Sequence, residues 1–173
     1  MPYEAERLLE HAQRLAVSRG WQRLQAMMLA EQVRVRLQRG NVTGAEQLQR
    51  QLEQMAASFR MDAEHPCQRA IALSASLSHC RLLLARGQAP QACILLADMV
   101  PDQENRGDRL TAARLRTLWS LALWNSGKTA AARTTFQPVV QLAEQQHLKG
   151  LFLEAGDTLQ PLLAGMNETS SAC

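Results

Sequence analysis

Three arginines stand at related distances ahead of glycines. Arg34 and Arg81 each lie six residues before one, Gly40 and Gly87, and Arg114 lies thirteen before Gly127, two helical turns away on nearly the same stripe. A guanidinium presents a planar fork of donors that matches carboxylate and phosphate oxygens. Three of them on one surface would suit an anionic metabolite or an acidic peptide. Trp119, eight residues before Gly127, would add a flat apolar wall to a pocket beside them. The competing reading is plainer: a solvated helix face whose arginines pair with carboxylates of their own helix, and a tryptophan that fills space between helices.

Catalytic chemistry finds no residue set. The chain has no Gly-x-Ser-x-Gly, no His-Glu-x-x-His and no glycine-rich phosphate loop. His79 and Cys80 are neighbours, but adjacent residues on a helix point about 100° apart, so they do not form a nucleophile and its base. The four cysteines (Cys67, Cys80, Cys93, Cys173) contain no C-x-x-C pair, and the histidines do not complete zinc spacing with them. Cys80 and Cys93 fall in apolar runs and are expected as small buried hydrophobes. No enzyme activity, metal or cofactor is expected.

The elements that would position these side chains are helices. The 173 residues are 46% hydrophobic and 20% charged, with only 4% aromatic. Leu, Ala, Gln, Arg and Glu dominate, all good helix formers, and β-branched residues are scarce. The net charge is +3, and arginine supplies 17 of the 19 basic residues, scattered among acidic ones rather than clustered as on a nucleic-acid-binding face. No run of 18 uninterrupted apolar residues suggests a membrane span, and the charged N-terminus has no apolar signal region, so a cytoplasmic location is expected.

A repeat emerges by counting from Gly40, Gly87 and Gly127. Five residues after them stand Ala45, Ala92 and Ala132, and eight after stand Leu48, Leu95 and Thr135. Three before stand Leu37, Leu84 and Trp124, and seven before stand Val33, Cys80 and Ser120. Spacings of three and four place each set on one face of a helix. The glycine is then the turn of an antiparallel pair, and the small alanine after it lets the second helix approach the first. Leu15-Ala16 matches Met55-Ala56 and Leu142-Ala143, so the chain opens on the second helix of a pair, with Ala5, Leu8 and Ala12 at the offsets of Ala45, Leu48 and Leu52.

The predicted helices span 3–18, 21–39, 42–59, 66–86, 88–99, 108–126, 129–146 and a short 156–164. Pro101 is expected to stop the fifth about a turn early, followed by a polar loop with Asp108 as the next N-cap. Pro138 falls inside the seventh, where a kink is expected. The expectation is an all-α solenoid of TPR-like antiparallel helix pairs, a right-handed superhelix of about seven or eight helices. It covers residues 1–164 and reads as a piece of a longer superhelix, with a disordered tail over 165–173. An exposed Leu8, Leu9 and Leu15 on the first helix would make it self-associate.

The pairs resemble tetratricopeptide repeats, although the glycine spacings of 47 and 40 residues depart from a strict 34-residue motif. Leu84-Ala85-Arg86-Gly87 with Ala92, Ala112-Ala113-Arg114-Leu115-Arg116 leading to Leu121-Ala122-Leu123 and Gly127, and Phe152-x-Glu154-x-Gly156 before Leu162-Leu163 are similar to the superhelical region of MalT-like, LuxR-type ATP-dependent transcriptional regulators. That resemblance implies a non-catalytic sensor that binds a small-molecule effector, a protein or a peptide. It also implies that ATP and DNA binding lie in other modules of a parent protein. The alternative is a free-standing TPR-like scaffold or chaperone that grips peptides.

Overall fold

In the computed structural model of this chain, placement is described for residues 2–58, 65–147, 159–160 and 162–164. Every regular element among them is helical: α1 (Pro2–Ser18), α2 (Gln22–Gln38), α3 (Val42–Ser58), α4 (Pro66–Ala85), α5 (Ala89–Asn105), α6 (Arg109–Asn125) and α7 (Thr129–Gln146). Residues 159–160 and 162–164 are helical as well. The chain is all-α and built as a helical repeat, as its sequence periodicity requires. The expected tail over 165–173 and the start of the short last helix lie outside the described residues.

The turns are more regular than the sequence reading made them. Gly20, Gly40, Gly87, Gly107 and Gly127 all have φ between 66° and 78°. They fall twenty residues apart within each run, 20 and 40, then 87, 107 and 127. A seventeen-residue helix and a three-residue link make one half-repeat, so turns inside a pair and turns between pairs are built alike. Nothing lies within 4 Å of a β-carbon placed on these five glycines. The left-handed backbone alone therefore demands glycine there.

One prediction needs correction. Pro101 does not end the fifth helix; α5 runs through it to Asn105. A proline at this point removes one backbone hydrogen bond, and burial and ion pairs hold the extra turn. Val100 is 1% exposed. Arg116 of α6 pairs with Glu104 at 2.6 Å, and Arg106 pairs with Asp102 at 2.9 Å. The stop signal is Gly107. Asp108 is the predicted cap, its carboxylate accepting from the Thr111 backbone N–H at 3.1 Å. Pro138 lies inside α7, as expected.

Close contacts divide the chain into two compact units, residues 1–86 and 87–173. In the first, α1 packs on α2, α2 on both α3 and α4, and α3 on α4. Its core joins Ala26, Leu29, Val33, Ala45, Leu52 and Ile71, with Leu37, Met55 and Cys67 packed against it. In the second, α6 packs on both α5 and α7. Leu96, Leu115, Ala122, Phe136 and Val139 are fully buried there. Each such leucine contributes about 1.5–3 kcal/mol by leaving water. Ala45, Ala92 and Ala132, five residues past their turn glycines, are all at 0% exposure.

Candidate binding surface

The site begins with the register of the helices. Residues of α3 repeat those of α1 forty positions on: Glu6 and Glu46, Gln13 and Glu53, Ser18 and Ser58. The Ser18 and Ser58 hydroxyls make the same contact, donating to the carbonyls of Leu15 and Met55 at 2.9 and 2.8 Å. Residues of α4 repeat those of α2 forty-seven positions on, so Arg86 matches Arg39 and His79 matches Gln32.

The first unit uses this register to pin each pair to the next. Arg39, which closes α2, pairs with Glu6 of α1, and Arg86, which closes α4, pairs with Glu46 of α3. Two turns along the same seam, Gln32 Nε2 donates to Gln13 Oε1 at 2.7 Å. At the equivalent place His79 Nδ1 lies 3.3 Å from Glu53 Oε1. The same carboxylate oxygen accepts from Gln49 Nε2 at 2.8 Å, and Gln49 also donates to the Ala75 carbonyl at 3.1 Å. These seam pairs were not read from the sequence. The available signal was an Arg-Gly dipeptide at Gly20, Gly40, Gly87 and Gly107, together with the forty-residue echo of Glu6 in Glu46.

The same positions in the second unit carry different chemistry. Cys93 stands where Glu46 stands, and Ser126 where Arg86 stands. A side-chain hydrogen bond joins Cys93 to Ser126. Burial pushes the Cys93 thiol up from its ordinary value, and Ser126 and nearby Lys128 pull against that. Val100 and Trp119 replace Glu53 and His79. Trp119 is half-buried, and the register puts it at the α5–α6 seam opposite the buried Val100.

The four sequence-predicted residues fall two in each unit. Arg34 sits on α2, its Nε 2.7 Å from Glu31 Oε2 and its Nη1 3.2 Å from Gln38 Oε1. Both partners belong to its own helix, as the plainer reading has it. Arg81 holds the matching position on α4, which packs on α2, and is half-buried. Arg114 lies on α6, half-buried, at the register of Met27 and Ser74, whereas Leu121, only 6% exposed, occupies the register of Arg34 and Arg81. The structure thus places Arg34 and Arg81 at equivalent points of adjacent packed helices, and Arg114 off that register. Cys80 is fully buried and its thiol is pushed up to about 11 by burial, with Arg81 opposing. It stays protonated while its neighbour His79 faces Glu53, which separates the two as their helical angle requires. Among the described residues no cluster of His, Cys, Asp and Glu could hold a metal ion, and no helix is long and apolar enough to cross a membrane.

Antiparallel pairs joined through a left-handed glycine, with a buried alanine five residues on, are the unit of tetratricopeptide-like repeats. The family model of the MalT-like TPR region matches residues 3–169. The chain belongs to the MalT-like TPR family. The match runs from residue 3, in α1, through α7 and past it, so it reaches across both units of this MalT-like region. Comparison with curated proteins gives no match for it, and comparison with solved structures gives none either.

Proposed function

We propose that this MalT-like TPR region is the non-catalytic sensor of a bacterial LuxR-type transcriptional regulator, binding a small-molecule effector, a protein or a peptide in the cytoplasm. The observation that carries this reading is the family match over nearly the whole chain, which leaves little of it for other work. Repeat surfaces of this kind bind through equivalent positions on successive units. Arg34 and Arg81 are such positions, and Arg114 and Trp119 are the second unit's candidates. The arginines favour an anionic ligand, since a guanidinium fork suits carboxylate or phosphate. In this reading the region itself neither contacts nucleic acid nor turns over a substrate.

The test is a thermal-shift screen of the chain against phosphorylated and dicarboxylic metabolites and an acidic peptide, followed by calorimetry on any that stabilise it. Arg34→Ala with Arg81→Ala is expected to weaken such binding by about tenfold or more, the loss of one or two charge-assisted hydrogen bonds. Helicity should be unchanged. Equal affinity in the double variant would remove these arginines from the site. A turnover product from any compound in the screen would overturn the sensor reading.

A further inference from the structure

We infer that the outer face of α1 is the contact between two copies of this chain, packed antiparallel about a two-fold axis. The face is apolar where its repeat equivalent is covered. Leu8 is 66% exposed, whereas Leu48, its match on α3, is 8% exposed and belongs to the core that α3 shares with α2 and α4. Leu15, on the same stripe as Leu8, is 44% exposed. Among the described residues only α2 makes an extended contact with α1. The surface therefore has the form that an antiparallel helix covers elsewhere in the same unit, with the small, half-buried Ala12 beside Leu8 permitting close approach.

The charges say which helix fits. Glu4, Leu8, His11 and Leu15 follow one another at steps of four, three and four along a single stripe, and Arg19 continues it. A shallow concavity of about 390 Å³ lies beside the first half of this stripe, between Glu4, Leu8 and His11 on one side and Arg7, Glu10 and Arg14 on the other. When a second α1 is laid antiparallel and centred between His11 and Ala12, Leu8 of one copy meets Leu15 of the other. Glu4 then meets Arg19, and both contacts occur twice, as a two-fold interface requires. The same arrangement sets the positive end of each helix dipole beside the negative end of its neighbour. Arg7 and Arg14 flank the seam, and Glu10, three and four residues away from them, offsets their charge.

Sedimentation equilibrium of the chain over a wide concentration range tests this, with circular dichroism confirming that each variant is folded. A reversible monomer–dimer equilibrium is expected. Leu8→Glu should raise the dimer dissociation constant by about tenfold or more, by placing a carboxylate in an apolar contact. Glu4→Arg and Arg19→Glu should each weaken the dimer severalfold. Together they should restore it, because the swapped charges meet again across the axis. A chain that stays monomeric at high concentration overturns the proposal. So does a double variant no better than its parents, and so do open-ended assemblies, which need two different faces.

Discussion

The two units run on one helix register and fill its seams with different chemistry. In residues 1–86 the seams hold Glu6–Arg39, Gln13–Gln32, Glu46–Arg86 and Glu53–His79, all polar or ionic. In residues 87–173 the corresponding positions are Cys93 with Ser126 and Val100 with Trp119. Both partners change together: at one position an acid and a base give way to a thiol and a hydroxyl, at the other to two apolar side chains. The difference separates what builds the fold from what decorates it. The glycine turns and buried alanines recur in both units, and the seam pairs do not. Exposed or half-exposed ion pairs contribute little free energy, about 0–1 kcal/mol each. The packing must therefore carry the stability in both halves.

The largest effects should accordingly be equal in the two units. Leu52→Ala in the first and Leu96→Ala in the second remove side chains at 0% exposure. Each is expected to cost about 2–5 kcal/mol in urea unfolding, through lost burial and the cavity left behind. If the second unit tolerated its truncation while the first did not, the two cores would not be equivalent.

Alkaline pH should distinguish the units. The core position seven before the turn glycine is Cys80 in the first unit and Ser120 in the second, both at 0% exposure. Ser120 donates to the Arg116 carbonyl at 2.8 Å and does not titrate in this range. The Cys80 thiol is held up at about 11 against an ordinary 9.0, so it ionises more readily in the unfolded chain. Its contribution to stability is complete below pH 9.0 and is lost as pH rises through about 11. Unfolding midpoints followed from pH 8 upward should fall more steeply for the wild type than for Cys80→Ala. Parallel curves would mean that this thiol does not feel its burial.

A smaller effect is expected at the turns. Gly107→Ala should cost about 1–2 kcal/mol, the penalty of a left-handed backbone for an L-residue. Open space around that position removes any steric addition. Gly40→Ala should cost the same, because the turn within a pair has the same left-handed backbone and open surroundings as the turn between pairs. A markedly different cost would break the equivalence of the two kinds of turn.

Much of this architecture was legible in the sequence because it rests on local signals. Helix lengths follow from spacings of three and four, and the ends from glycines that only a left-handed backbone explains. Pro101 is the exception: its local stop signal is outweighed by burial of Val100 and the reach of Arg116 to Glu104, neither of which is local. The twenty-residue half-repeat does not show in the turns inside pairs alone and appears only when Gly20 and Gly107 join them. The seam partners are 33 residues apart in Glu6–Arg39 and 40 apart in Glu46–Arg86, so they emerge only when the antiparallel register is known. The arginine surface was legible only in part. Position on a stripe linked Arg34 with Arg81, but Arg34's engagement with Glu31 and Gln38 depends on rotamers that spacing does not fix.

The shared register is tested most directly by moving one unit's chemistry into the other. Cys93→Glu with Ser126→Arg rebuilds in the second unit the pair that Glu46 and Arg86 make in the first. A double-mutant cycle in urea unfolding should then show a favourable coupling of about 0.2–1 kcal/mol that fades in high salt. A coupling of zero at low salt, with the helices intact, would mean that the two seams do not align as described.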